Sequence, residues 1–199
     1  MKIIQKSNFF NFEKQLVKAC REGGTIVMPF DTMYALVANP FNDQSIDQLY
    51  KIKGRDFNKP VSLAFSSASQ ILEYIRMSSQ QELLINKSVP GDYTFILPFD
   101  VRDRKNFSNQ YRKLDKIGIK ITNDKFVIDF IEKVGHPIAA TSANISDMPN
   151  CWSADDFLNQ IRSSEAKPDY VIDGGTILET PPSEVVDISD TKQPKVLRR

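Results

Sequence analysis

The sequence predicts a single α/β domain whose sheet mixes parallel and antiparallel strands, and three observations carry that expectation. Short β-branched, apolar runs alternate with amphipathic stretches of helical length. No Pro-, Gly- or Ser-rich linker divides the 199 residues, and no internal repeat or low-complexity tract occurs. Hydrophobic residues make up 41% and charged residues 26%, so a chain this long can hold a core without disulfides or metals. Small stapled scaffolds and disordered chains are thereby excluded.

Residues 9–21 are expected to be helical, because Phe9, Phe12, Leu16 and Ala19/Cys20 share a face and Gly23-Gly24 stops the run. Residues 25–28 read as a buried strand entering a turn at Pro29. Asp43 or Ser45 caps a helix through Ile46, Leu49, Tyr50 and Ile52 that ends at Lys53-Gly54. Pro60 opens a strand over 61–65. Helical stretches over 69–75 and about 79–85 follow, then a turn at Pro90-Gly91. Residues 93–97 and 117–121 are expected strands with a long, polar, basic loop between them. Residues 125–134 form an amphipathic helix, 137–141 a small-residue strand, and 154–161 a helix capped by Ser153 with acids in its first turn. Short strands over 170–173, 185–188 and 195–197 complete the order.

Cys20 and Cys151 form no Cys-x-x-Cys pair and His136 is the only histidine, so zinc sites built from His and Cys clusters are excluded and no protein-ligated metal is expected. His136 precedes Pro137 in a Gly-His-Pro sequence, which reads as a turn rather than a triad base. The N-terminus has no apolar h-region, and no run approaches the ~18 residues of a membrane span. The expectation is a cytoplasmic protein with reduced thiols and no membrane partner.

Net charge is +1 but unevenly spread. Arg102, Arg104, Lys105, Arg112, Lys113, Lys116, Lys120 and Lys125 stand against only Asp103, Asp115 and Asp124 in one segment. Such a segment reads either as a solvated loop or as a contact for phosphates and RNA.

Glycine-rich phosphate loops are missing, so any nucleotide must be held by side-chain cations and non-glycine turns. Lys53, Arg55 and Lys59 cluster at a helix end, where they are either C-terminal caps or phosphate ligands. Ala139 to Ser146 is small and hydroxyl-rich at a strand exit, which is either an Asx or Ser/Thr turn or a close-approach ligand surface. Pro29 to Tyr34 and Pro182 to Asp187 are further polar strand ends, and open α/β sheets gather ligands at such ends.

In order along the chain, GGTIVMPFDTMYAL, KGRDFNKPVSL, PGDYTFIL, IGIKI, ATSANIS, VIDGG and PPSEVVDI resemble the signature segments of the YrdC/YciO family, from about Gly23 to Arg198. The resemblance implies a twisted, largely open mixed α/β sheet with helices and a basic concave face, as one domain over 1–199 with no additional C-terminal domain. It also implies an L-threonylcarbamoyladenylate synthase, a nucleotidyltransferase joining L-threonine, bicarbonate and ATP with release of pyrophosphate. Mg2+ would accompany the ATP. The product would serve threonylcarbamoyladenosine formation at tRNA position 37, with downstream threonylcarbamoyl-transferase proteins and tRNA or double-stranded RNA as partners. The alternative within the family is a YciO-like RNA- or nucleotide-binding protein without full synthase activity.

By the same resemblance Lys53, Arg55, Ser142 and Asn144 form the catalytic pairs. Arg55, Lys59, Lys116, Ser142, Asn150 and Arg198 would surround ATP. Thr32, Lys120, the backbone of Ala140 and Ser183 would hold threonine. Five positions depart from the family pattern: Phe30 for Thr or Ser, Ala35 for Gly, Lys120 for Arg, Asp147 for Gly and Glu184 for Thr. Lys120 replaces a bidentate fork by a point charge, and Glu184 adds negative charge near an anionic ligand.

Overall fold

The computed structural model describes residues 1–88, 92–102 and 104–198. Its strands are β1 (Lys2–Gln5), β2 (Ile26–Pro29), β3 (Tyr34–Ala38), β4 (Ser62–Phe65), β5 (Tyr93–Pro98), β6 (Lys116–Ile121), β7 (Ile138–Ser142), β8 (Tyr170–Asp173), β9 (Glu184–Asp187) and β10 (Lys195–Arg198). The helices are α1 (Phe9–Arg21), α2 (Asp43–Lys53), α3 (Ala68–Tyr74), α4 (Ser79–Ser88), α5 (Asn109–Arg112), α6 (Lys125–Val134) and α7 (Ala154–Gln160). All ten strands join one open sheet in the order β1-β8-β2-β3-β7-β4-β6-β5-β9-β10. The pairs β1/β8, β8/β2, β4/β6 and β5/β9 are parallel and the remainder antiparallel. The expected mixed α/β sheet is therefore present.

Period-two alternation divides the core between the two faces of the sheet. Val27, Leu36, Leu63, Phe65, Phe95, Ile119 and Ala139 enter one cluster, which α2, α3, α4 and α7 cover with Leu49, Ile71, Ile85 and Phe157. Ile26, Met28, Val37, Ala64 and Ile138 enter the other, covered by Leu16 and Cys20 of α1 and Phe130 and Ile131 of α6. Neither α1 nor α6 reaches the second face of β5, β6 and β9, which contribute nothing to that cluster. This uncovered area is where the cleft forms.

Several local features differ from the sequence expectation, each for a physical reason. β3 is unanticipated because all five residues are buried, which leaves no polar alternation to read. β1 is a short edge strand with only Ile4 buried. The cap of α2 is Asn42, whose side chain accepts from Ser45 N at 2.9 Å; Ser45 Oγ instead accepts from Asn39 N at 2.9 Å. Asp43 accepts from Asn109 N at 2.6 Å, tying α2 to α5. The stretch between β5 and β6 is not a plain loop, because it contains a 3-10 turn over Arg104–Asn106 as well as α5. The Pro90-Gly91 turn lies outside the described residues.

Candidate active site

Strand register explains how distant residues meet. Ala64 pairs with Lys120, Lys120 with Thr94, Thr94 with Val185, and Val185 with Arg198, which makes a row across five strands. One step away Ser62 pairs with Ala140. These residues share one face and line a cavity of ≈ 400 Å³, together with Phe30, Thr32, Ala35, Arg55, Ser142, Asn150 and Ser183. Gly118, between Lys116 and Lys120, keeps the floor low: a Cβ there would run into Ser62 Oγ and come within 3.3 Å of Thr94 Cγ2.

Lys53, the last residue of α2, lies directly behind the wall. It is 2% exposed, and its ammonium donates to Ser142 O (2.7 Å), Ser142 Oγ (3.3 Å), Asn144 O (3.0 Å) and Asn144 Oδ1 (2.9 Å). Lys53 O accepts from Ser146 N at 2.8 Å, so both ends of the residue hold the same loop. Ser142 Oγ donates to Asn144 Oδ1 at 2.6 Å, and Asn144 Nδ2 donates to Met148 O at 2.6 Å. No carboxylate forms an ion pair with Lys53 among the described residues. Burial, and secondly the Arg55 charge, push its pKa down to about 8.

Arg55 leaves α2 through Gly54, whose φ of 57° reverses the chain at the helix end. Its Nε donates to Lys59 O (2.9 Å) and Nη2 to Pro60 O (3.1 Å), which fixes the guanidinium while other donors remain free. Across the cleft, Lys120 Nζ donates to Asp31 Oδ1 (2.7 Å) and Ser183 Oγ (2.9 Å). Arg198 donates from Nε and Nη2 to Ser183 O (3.2 and 2.8 Å), and partial burial lowers its pKa. Ser183 thus joins the cations of β6 and β10.

Of the residues expected at the site, Thr32, Arg55, Lys120, Ala140, Ser142, Asn150, Ser183 and Arg198 line the cleft. Lys53 and Asn144 stand behind it. Lys59 is exposed, and its carbonyl rather than its side chain supports Arg55. Lys116 shares the open face but sits roughly 14 Å along β6 from Lys120, paired with Asp187 at 2.9 Å. Burial alone would raise the Asp187 carboxyl, but hydrogen bonds from Lys116 and Ser189 hold it at about 2.

The departures from the family pattern separate by position. Phe30 and Ala35 line the cleft. Asp147 has φ 67°, the left-handed region that suits a glycine and that Asp tolerates. Glu184 shares its face with Val186, which packs on the opposite core, so its charge points away from the cleft. Asp31 carries no role in the motif reading; the signal for it is a buried acid beside a site cation.

The basic segment is mostly committed internally. Arg102 Nε donates to Leu72 O (3.0 Å), Arg112 Nε to Phe107 O (2.7 Å), and Arg104 to Arg112 O (3.0 Å), Leu114 O (2.9 Å) and Phe99 O. Arg102 satisfies a carbonyl in the last turn of α3, and Arg104 and Arg112 satisfy carbonyls of the short helix and the irregular backbone between β5 and β6. Both cysteines are free and buried, and burial lifts each thiol to about 12. His136 sits in its turn, edge-on to Phe41, with Nδ1 2.8 Å from Pro137 O. No group of three or more His, Cys, Asp or Glu side chains suited to a metal ion occurs among the described residues, and no helix there is long and apolar enough to cross a membrane.

Comparison with known proteins points one way. The Sua5/YciO/YrdC family model, described as "Telomere recombination", matches residues 18–199. A Methanocaldococcus jannaschii relative is 32% identical over 177 residues, covering 89% of this chain and 80% of its own. A threonylcarbamoyl-AMP synthase of Vibrio parahaemolyticus is 29% identical over 192 residues, 95% of this chain and 98% of the relative. The crystal structure of P. abyssi Sua5 complexed with L-threonine superposes with a TM-score of 0.84 at 25% identity, over 99% of this chain and 56% of that one. With the family model matched over residues 18–199, ten strands among the described residues in one open sheet and most of the motif residues lining its uncovered face, the chain belongs to the Sua5/YciO/YrdC family.

Proposed function

We propose that the protein is a threonylcarbamoyl-AMP synthase, joining L-threonine, bicarbonate and ATP and releasing pyrophosphate. The observation that carries this reading is one ≈ 400 Å³ cleft with a cation at each end: Arg55 beside the Lys53–Ser142–Asn144 cluster, and Lys120 with Ser183. A cavity of that size suits small-molecule ligands. The name of the Vibrio relative, matched over nearly its whole length, supports the same activity. The threonine complex of the P. abyssi structure supports an amino-acid subsite.

In this reading the triphosphate lies against Arg55, Ser142, Asn150 and Arg198, with Lys59 and Lys116 at the solvent side. The threonine carboxylate meets Lys120, and Thr32, Ser183 and the Ala140 backbone hold the rest of the molecule. The unprotonated threonine amine attacks the bicarbonate-derived carbon, water leaves, and a carbamate forms. A carbamate oxygen then attacks the α-phosphorus and the bond to the bridging oxygen breaks, so pyrophosphate departs. The chain supplies placement and cancellation of negative charge rather than a strong base. Lys53 and Asn144 act as positioning residues through Ser142. Magnesium enters with ATP as part of the substrate. The product then passes, in the cytoplasm, to threonylcarbamoyl-transferase proteins that modify adenosine 37 of tRNA.

The test is pyrophosphate release by the purified protein with ATP, bicarbonate and L-threonine, omitting each in turn. Release that depends on all three is expected. ATP binding without threonine-dependent release would overturn the synthase reading and leave a nucleotide-binding protein.

A further inference from the structure

Asp31 lies in the turn between β2 and β3, and its side chain is only 9% exposed. It does not line the cleft, yet it touches a residue that does: Lys120 Nζ donates to its Oδ1 at 2.7 Å. Its other oxygen accepts from Thr122 Oγ1 (3.2 Å) and Asn123 N (3.3 Å), while Thr122 Oγ1 accepts from Asp124 N (3.2 Å). Asp31 therefore ties the β2–β3 turn to the turn between β6 and α6 and is itself held by three donors.

An ammonium has three N–H donors on a flexible stem. Asp31 takes one from Lys120 and Ser183 Oγ takes a second at 2.9 Å, which leaves one for the cleft. We propose that Asp31 is a positioning residue of the amino-acid subsite, which holds the Lys120 ammonium so that its remaining donor serves the α-carboxylate of the bound amino acid. Two fixed partners give the lysine the preorganisation that a planar guanidinium would supply by itself. The assignment of an amino-acid carboxylate to Lys120 rests on the proposed function; the Asp31–Lys120–Ser183 geometry does not.

Two effects of Asp31 on a carboxylate ligand have opposite signs. A merely neighbouring negative charge repels the ligand, so its removal tightens binding. A positioning residue aims the cation, so its removal weakens binding. Calorimetric titration of the purified protein with L-threonine, with L-threoninol, which lacks the carboxylate, and with ATP separates them. Asp31→Ala is expected to weaken L-threonine at least fivefold, to leave L-threoninol and ATP within twofold, and so to reduce the preference for the carboxylate. Asp31→Asn, which keeps an acceptor for Lys120, is expected to fall between, and it serves as the test if the alanine variant does not fold. Unchanged or tighter L-threonine binding, or equal losses for all three ligands, would overturn the proposal. An unaltered protein that does not prefer L-threonine to L-threoninol would also overturn it. Preference for L-threonine without pyrophosphate release would instead sink the synthase reading and leave the Asp31 comparison intact.

Discussion

Lys53 Nζ lies 2.7 Å from Ser142 O and 2.9 Å from Asn144 Oδ1, a clasp between residues 89 and 91 positions apart in the chain. It fastens the end of α2 to the end of β7. Because Lys53 is 2% exposed, its charge reaches the cleft through Ser142 rather than by contact.

Lys53→Met keeps the stem and removes the donors, which leaves Asn144 O without a partner and takes a second partner from Ser142 O, Ser142 Oγ and Asn144 Oδ1. Leaving buried acceptors unpaired costs about 1–3 kcal/mol, and losing the charge adds to the effect on the site. The expected result is about 3 kcal/mol lost in urea unfolding, with pyrophosphate release reduced on the order of 100-fold. A variant with full activity would show that the clasp is not needed for the reaction.

On the proposed function, the same lysine should make ATP binding depend on pH. Its pKa is lowered to about 8 by burial and the Arg55 charge, so the ammonium is lost as pH rises through that value. A triphosphate favours the charged form, and binding above about pH 8 should therefore take up a proton and weaken with rising pH. Calorimetry at pH 8.5 in two buffers of different ionisation enthalpy reads the uptake directly. Proton uptake should vanish in Lys53→Met; if it persists there, another group is responsible.

Much of the site is legible in the sequence because its residues sit in compact motifs at strand and helix ends, and an open sheet gathers such ends on one face. Arg55, Ser142 and Ser183 all reach the cleft in this way. Depth is the property that linear spacing does not encode. Nothing in the order of Lys53 and Arg55 says that one is buried and the other faces the cleft; that depends on the left-handed turn at Gly54. The strand β3 escapes notice because Tyr34 to Ala38 is buried on both faces. The arginines between β5 and β6 read as surface charge because a count of charges does not reveal carbonyls left open by an irregular backbone.

Gly118 offers a steric test of the cleft floor. An added Cβ would meet Ser62 Cβ at 3.2 Å and Thr94 Cγ2 at 3.3 Å, tighter than ordinary contact, from a position between Lys116 and Lys120. Gly118→Ala should cost roughly 1–2 kcal/mol through overpacking and should raise KM for ATP. Thermal unfolding and steady-state kinetics measure both, and an unchanged KM would place ATP away from this part of β6.

Arg104 separates stability from activity. Its guanidinium donates to the carbonyls of Phe99, Arg112 and Leu114 and lies 5.2 Å from the Phe99 ring centroid. Arg104→Gln should destabilise the protein by about 2 kcal/mol through unpaired carbonyls while KM for ATP and threonine stays within twofold. A large rise in either KM with unchanged Tm would instead assign Arg104 to ligand binding.

Tyr34 pins the segment that carries Ser183. Gly174 N donates to its hydroxyl at 2.8 Å, and the hydroxyl donates to Gly175 O at 2.7 Å, so one fully buried side chain holds the segment as it leaves β8. Farther along, Ile177 N donates to Trp152 O at 2.8 Å and Thr180 Oγ1 to Thr32 O at 3.0 Å before Ser183 meets Lys120 and Arg198. These few bonds position a segment without regular secondary structure across the cleft, so losing the first should loosen the residues from Gly174 to Ser183. Tyr34→Phe removes only the hydroxyl and leaves two backbone groups unpartnered, at a cost of about 1–3 kcal/mol. Amide exchange should accelerate over residues 174–183 and stay unchanged in β2 and β7. Because Ser183 touches both cations, KM for ATP and threonine should rise together, more than kcat falls. Faster exchange with unchanged KM values would show that the segment's mobility does not govern the cleft; unchanged exchange would show that Tyr34 does not hold the segment.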